Sequence, residues 1–419
     1  MGWKPKPWWA ALAYATCCLL LGAAPDALAA SPPSEITIGT LYASEGPFAY
    51  SSESEFSGLK FWVAQQNQAG GAEVKAFGRK IPIKIIAYDD LSSTTTATNL
   101  YNELITQDKV NILVADNGSV LTSVAVPLAE EQKYLLFDVA GTSSFFFTKD
   151  NPYIVLTSMR TSGVWPKALA GFLITRKINR IAVLYDSNDF AGSQAVTIRA
   201  LLTAAGDAPV YYRAVPTDTT NYTVLLRTIA ASHPNAVLEF GYPNNDIAFL
   251  NALAQSGLHF KMVYTVYPGQ QLALFLKNVS PKTLAYTFST VTPPILRQND
   301  VNDGPGIAAF EKAYEAATGK KVNFQVIAGY TAGLVIGKTL ATAASLDQMA
   351  LRKAVASFSG KLVTLDGRFD VAANGAQIGE TIPLGQFLGA PSARASKLEV
   401  VYPKALATGK AEYPAPREQ

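Results

Sequence analysis

Two short stretches bring small hydroxyl residues, glycine and free backbone amides together in the pattern that holds an anion: Asp116-Asn117-Gly118-Ser119 and Ala140-Gly141-Thr142-Ser143-Ser144. Each follows an apolar run that reads as a strand, Val110 to Ala115 and Tyr134 to Val139, and the first leads straight into a helical pattern from Leu121. Ligands of open α/β sheets gather at the carboxyl ends of the strands. Unpaired N–H groups at a helix start, assisted by Ser or Thr hydroxyls, bind a carboxylate without a full positive charge. The same residues also serve as plain helix caps and turns, so residue type alone leaves both uses open.

Other chemistry is sparse. His233 and His259 both fall in turns between a helix and a strand, and the two cysteines, Cys17 and Cys18, lie close to the N-terminus. Neither a zinc site nor a histidine-based triad can be assembled from that supply, so no metal and no cofactor is expected. Ser57-Gly58-Leu59-Lys60 has the S-x-x-K spacing of penicillin-interacting enzymes, but the partner elements S-D-N and K-T-G are absent. No phosphate-cradling glycine loop follows a strand, and an enzyme is not expected.

The elements that must position the two stretches alternate strand and helix, as βαβ units feeding a parallel sheet do. Strands are expected at Ile36 to Leu41, Ile81 to Tyr88, Val110 to Ala115 and Tyr134 to Val139, with helices at Glu53 to Gln68, Thr94 to Gln107 and Leu121 to Lys133. The alternation restarts with strands at Arg180 to Tyr185, Val210 to Val215, Ala236 to Phe240 and Met262 to Val266, separated by helices near 164–176, 192–205, 222–232 and 244–256. Two such series imply two lobes, each with its own sheet. A strand is expected at Leu284 to Phe288. Helices at Ile307 to Thr318, Gln325 to Ala344 and Asp347 to Phe358 have no strands of their own and must cover a sheet built earlier. Closing hairpins are expected at Lys361 to Thr364, Arg368 to Val371 and Ile382 to Leu388, and a loose Lys/Pro/Glu-rich tail from Ala405.

The first 29 residues read as a cleaved secretory signal: Lys4 and Lys6, an apolar run from Trp8 to Ala24, and Ala27-Leu28-Ala29 as the cleavage site. The mature chain then begins near Ala30 without cysteine. A formal net charge of +3 over 419 residues, with no long single-sign run, argues against nucleic acid as a partner.

Further residues resemble a known family. Ile36-Thr37-Ile38-Gly39, Glu45-Gly46-Pro47, Gly58, Asn67-Gln68-Ala69-Gly70-Gly71, Gly78-Arg79-Lys80-Ile81, Asp89-Asp90, Tyr185-Asp186, Gly241-Tyr242 and Gly257-Leu258 occur in the order and spacing of the leucine/isoleucine/valine-binding family, the type I periplasmic binding proteins that serve ABC importers. The likeness covers residues 35 to 400. It implies two Rossmann-like lobes with parallel-sheet cores, joined by three hinge crossovers near Ser158, Thr290 and Asp366 and closing on a ligand. Lobe 1 would comprise 30–158 plus 291–365, and lobe 2 would comprise 159–290 plus 366–404. A monomer in the periplasm, working with permease subunits in the inner membrane, is the implied setting. A sensor of the same fold, passing closure to a signalling partner, is the competing use.

The resemblance carries the carboxylate anchor onto Ser119, Ala140 and Thr142, with Gly141 between the last two. It puts Tyr50, Phe190, Tyr242 and Gln325 on the pocket wall. The family's two ammonium acceptors fall on Thr161, beside Arg160, and on Val266, none of which is a carboxylate. An ammonium without a partner in a dry cleft costs several kcal/mol, so an aromatic or aliphatic organic acid is expected over an ordinary amino acid. Glu239 is the alternative acceptor that would keep an amino acid in play. Phe48, Tyr50, Phe145, Phe146, Trp165, Tyr264 and Tyr267 are aromatic residues available for stacking on the ligand or for packing between the lobes.

Overall fold

In the computed structural model, Gly2 and residues 32–148, 151–388 and 397–416 are described. The expected signal after Gly2, with its cleavage site, lies outside them. Among the described residues no helix is long and apolar enough to cross a membrane.

The first series runs β1 (Ile36–Tyr42), α1 (Ala49–Gln68), β2 (Ala72–Val74), β3 (Arg79–Ile81), β4 (Ile83–Asp89), α2 (Thr94–Thr106), β5 (Ile112–Val114), α3 (Gly118–Gln132), β6 (Leu136–Asp138) and β7 (Ile154–Leu156). Five of its strands form a parallel sheet in the order β4-β1-β5-β6-β7. Strands β5, β6 and β7 are buried on both faces, which is why they read as continuous apolar runs rather than alternating ones.

The second series runs α4 (Pro166–Thr175), β8 (Ile181–Asp186), α5 (Asp189–Ala204), β9 (Tyr211–Val215), α6 (Thr223–Ala231), β10 (Ala236–Phe240), α7 (Pro243–Ser256), β11 (Met262–Tyr264), α8 (Leu272–Asn278), α9 (Pro281–Leu284) and β12 (Phe288–Thr290). Then come α10 (Ile307–Thr318), α11 (Phe324–Leu340), α12 (Gln348–Phe358), the short hairpin β13 (Leu362–Val363) and β14 (Arg368–Phe369), and finally β15 (Leu384–Leu388) and β16 (Lys397–Tyr402). The second sheet has the order β16-β15-β12-β11-β10-β8-β9, and its β12, β15 and β16 pair antiparallel. The chain therefore leaves the first sheet after β7, returns after β12 and crosses again before β15. Ser158 and Asp366 meet where the first and third connections run together, Ser158 Oγ donating to Asp366 Oδ2 at 2.5 Å.

Helix α11, buried nearly all round, lies along α1 of the first lobe, as the family resemblance implied. The approach is close enough that a Cβ on Gly58 would stand 2.0 Å from Val326 O, and one on Gly329 would stand 1.9 Å from Glu55 O. Only glycine fits at either crossing point.

Several expectations are corrected. Helix α1 starts a turn earlier, so Tyr50 is helical rather than in the first loop. Leu284 to Phe288 is not a strand: Pro281 and the Ser280 cap build α9 up to Leu284, and the strand begins at Phe288. Strand β16 and helix α8 were not anticipated. The tail is not loose over 405–416, because Gln386 exchanges hydrogen bonds with Glu412 (Nε2 to O 2.9 Å, N to Oε1 2.8 Å) and Ala415 N donates to Lys261 O at 2.8 Å.

Candidate ligand-binding site

The lobe 1 face of the cleft is a backbone cradle fixed from beneath. Asp116 Oδ1 accepts from Ser52 Oγ at 2.5 Å and from Asn117 N at 2.6 Å, and Asn117 Nδ2 donates to Glu55 Oε2 at 2.6 Å. Gly118 at φ +82° then turns the chain into α3. The second stretch is tied to the first: Ser143 N donates to Ser119 Oγ at 2.9 Å and Gly141 N to Asp138 Oδ1 at 2.7 Å. Thr142 is buried, and its hydroxyl oxygen has no partner in the protein.

The lobe 2 face is aromatic. Phe190, on the first turn of α5, stacks on Tyr242 with ring centres 5.1 Å apart, meets Trp165 edge-on at 5.2 Å and lies 5.9 Å from Tyr267. Phe48, from lobe 1, meets the Tyr242 ring edge-on at 5.1 Å. The lobes are closed on one another: Gln271 Nε2 donates to Ser51 Oγ at 2.8 Å, and Ser144 N to Ser193 Oγ at 3.2 Å.

Between these faces lies a narrow cavity of about 10 Å³. Asn117, Gly118, Ala140, Thr142, Met159, Trp165, Phe190, Tyr242, Tyr267, Gln270, Phe324 and Gln325 line it, and none carries a charge. Four polar atoms on its wall have no partner in the protein: Thr142 Oγ1, Tyr242 OH, Gln270 Nε2 and Gln325 Oε1. The Tyr242 hydroxyl stands before the start of α3. Burial raises its pKa, while the Val120 and Ser119 amides pull the other way without meeting hydrogen-bond geometry.

Both faces rest on buried carboxyls. Burial is the main cause that holds Glu55, Asp116 and Asp138 well above the usual carboxylate range in lobe 1, and Asp90 at about 6. In lobe 2, burial pushes Asp186 up to about 9 and Asp246 to about 7, and Glu239 is raised as well. These carboxyls brace the loops by accepting hydrogen bonds, Asp138 from Gly141 N and Asp186 from Tyr242 N, and burial disfavours their charged forms.

Of the residues singled out in the sequence, Ala140, Thr142, Phe190, Tyr242 and Gln325 line the cavity. Ser119 and Gly141 are buried behind it as supports. Tyr50 is 41% exposed, away from the cavity. Arg160 stays beside Glu380 and accepts from Trp165 Nε1 through its carbonyl at 2.7 Å. Thr161 begins the turn into α4, and Val266 is buried with its carbonyl accepting from Ser289 Oγ at 3.0 Å. Neither reaches the cavity wall, and Glu239 does not either: it is fully buried near Asp246, and neither of its carboxyl oxygens has a hydrogen-bond partner in the protein. Trp165 and Tyr267 belong to the wall. Tyr264 lies within the sheet, bonded to Thr290, and Phe145 is exposed. Gln270, Met159 and Phe324 were missed, because nothing local distinguishes them.

A family model described as periplasmic binding protein matches residues 35–390. The chain belongs to the periplasmic binding protein family. The Leu/Ile/Val-binding protein homolog 7 of Brucella melitensis is 22% identical over 361 residues, covering 83% of this chain and 85% of that protein. The Leu/Ile/Val-binding protein of Escherichia coli K12 is 23% identical over 208 residues, half of this chain and 55% of that relative, so the chain spans about half its length. Among solved structures, a leucine-binding protein from Thermotoga maritima superposes with TM-score 0.75 at 15% identity, covering 87% of this chain and 98% of that one. A solute-binding protein of an ABC transporter from R. palustris, in complex with benzoate, superposes with TM-score 0.73 at 18% identity, covering 92% and 98%. At these identities the likeness shows the shared two-lobed fold.

Proposed function

We propose that this member of the family is the exported substrate-binding subunit of an ABC importer, and that it captures an aromatic or apolar carboxylate without an α-ammonium between its lobes. The observation that carries this reading is the uncharged cavity wall. On the lobe 1 side, the start of α3 and the free Thr142 hydroxyl offer donors suited to a carboxylate. On the lobe 2 side, Trp165, Phe190, Tyr242 and Tyr267 offer ring faces, and no carboxylate lines the wall to receive an ammonium. Relatives that bind leucine and benzoate lie about equally near in fold, and the wall chemistry is what supports the organic-acid reading.

The lobes meet tightly with this cavity between them, so a ring enters only as the hinge opens and draws Tyr242 away from α3. A ligand touching both faces then favours the closed form by its differential affinity. The permease of the inner membrane is the partner that would read that closure, and the protein itself would act as a monomer without turning its ligand over.

The test is a matched calorimetric comparison. Phenylacetate should bind at least tenfold more tightly than phenylalanine, about 1.4 kcal/mol, and 4-methylpentanoate more tightly than leucine. A preference for the amino acids would overturn the organic-acid reading.

A further inference from the structure

A second cavity of about 480 Å³ opens beside the first, and the two share one wall residue, Gln270. This outer groove is built by both lobes. Tyr50 of α1 and Val326 of α11 come from lobe 1, Leu272, Ala273 and Leu276 of α8 from lobe 2, and Ile295 from the connection between them. By exposed area its lining is chiefly apolar, with Glu53, Lys320 and Lys321 also on it, and two of the exposed large apolar side chains of the molecule, Tyr50 and Leu276 (38% exposed), fall here.

Gln270 is the informative residue. Its backbone is held on both sides, N donating to Tyr267 O at 2.8 Å and O accepting from Phe324 N at 3.2 Å. Its side chain is only 3% exposed, yet Nε2 has no partner. A buried amide donor without a partner, standing between the closed inner cavity and the open outer groove, marks a place where something else completes the hydrogen bonding.

We propose that the groove is the distal half of the binding site, and that the natural ligand is an elongated amphipathic acid. Its carboxylate and ring occupy the inner cavity, Gln270 donates to it at the boundary, and its apolar tail lies along α8. The proposal rests on the carboxylate reading of the inner cavity. It adds a size class: the groove has the volume of a small-molecule site, whereas the inner cavity, about 10 Å³ with the lobes closed, takes a ring only as they part and leaves no space for a tail. A tail held by α1, α11 and α8 at once also bridges the lobes, so it adds to closure as well as to affinity.

The experiment is isothermal calorimetry on the mature chain with benzoate and its 3- and 4-ethyl, -butyl and -hexyl derivatives. In at least one positional series, affinity should rise with chain length, by roughly fourfold per methylene while the tail stays in the groove. Ala273→Trp, which fills the groove from an exposed helix position, and Leu276→Ser, which removes an exposed part of its wall, should abolish the rise and leave benzoate affinity unchanged. Benzoate binding with no dependence on length in either series overturns the groove and leaves the inner site standing. A rise that survives both substitutions, or substitutions that weaken benzoate equally, also overturns it. Failure of wild type to bind any member would instead overturn the carboxylate reading.

Discussion

The two faces of the cleft use opposite materials. Lobe 1 presents backbone and small hydroxyls, Gly118, Ala140 and Thr142, held in place by side chains beneath them, whereas lobe 2 presents large rings, Phe190, Tyr242 and Tyr267, packed on one another. A main-chain cradle recognises charge through direction and hardly depends on which small side chain it bears. A ring wall recognises shape and contributes through buried area. Substitutions on the two faces should therefore fail differently, in fold on one side and in binding on the other.

The largest effect belongs to the ring wall. Phe190→Ala removes a side chain that touches Trp165, Tyr242 and Tyr267, and denaturant unfolding should show a loss of about 3–5 kcal/mol. A loss well under 1 kcal/mol would mean that the rings serve the ligand and not the fold.

The carboxyls beneath the two faces give the next contrast. With a folded pKa of about 9, Asp186 favours folding when protonated. That contribution is whole below about pH 4, the unfolded value, and is lost as pH rises through about 9. Asp186→Asn keeps an acceptor for the Tyr242 amide and removes the titration. At pH 8 the variant should be the more stable by more than about 1 kcal/mol, and near pH 4 the difference should shrink. Melting curves across that range measure it, and parallel curves would refute it.

On the lobe 1 face, Thr142→Ala should leave the melting temperature nearly unchanged and weaken carboxylate binding by about 1–3 kcal/mol, the range for a hydrogen bond to a charged group. Calorimetry at unaltered affinity would place the anion elsewhere. The smallest effect is expected where the faces only touch: Gln271→Met removes the bond to Ser51 at similar volume, and should weaken binding by about 0.5–1.5 kcal/mol. Small-angle scattering should show the ligand-free variant more open than wild type.

Much of the scaffold was legible because its signals are local. Strand β10 and helix α10 have the boundaries that the apolar runs and the flanking turn residues implied. Helix α9 was misread because a four-residue helix capped by Ser280 carries too little periodicity to separate it from a strand. For the candidate site, Ala140 and Thr142 stood out from their place after a strand, and the family resemblance implied Phe190, Tyr242 and Gln325; all five line the inner cavity. Tyr50 could not be placed, since one extra turn of α1 carries it out of the first loop and into the outer groove.

The amino-acid sequence alone determined the alternation of strands and helices, the division into two series, the need for α10 to α12 to cover a sheet built earlier in the chain, and the supply of small polar residues at strand ends. These follow from periodicity, caps and turn residues, which act over a few positions of chain. Tertiary structure decided which of those residues face one another. Gln270 and Gln325, 55 positions apart, come to line one cavity, Tyr242 comes to stand before the amides of α3, and Glu239 is buried near Asp246 instead of lining the cleft. Those pairings are set by how two separately built sheets close on each other, and no local pattern in either series encodes the register of that closure.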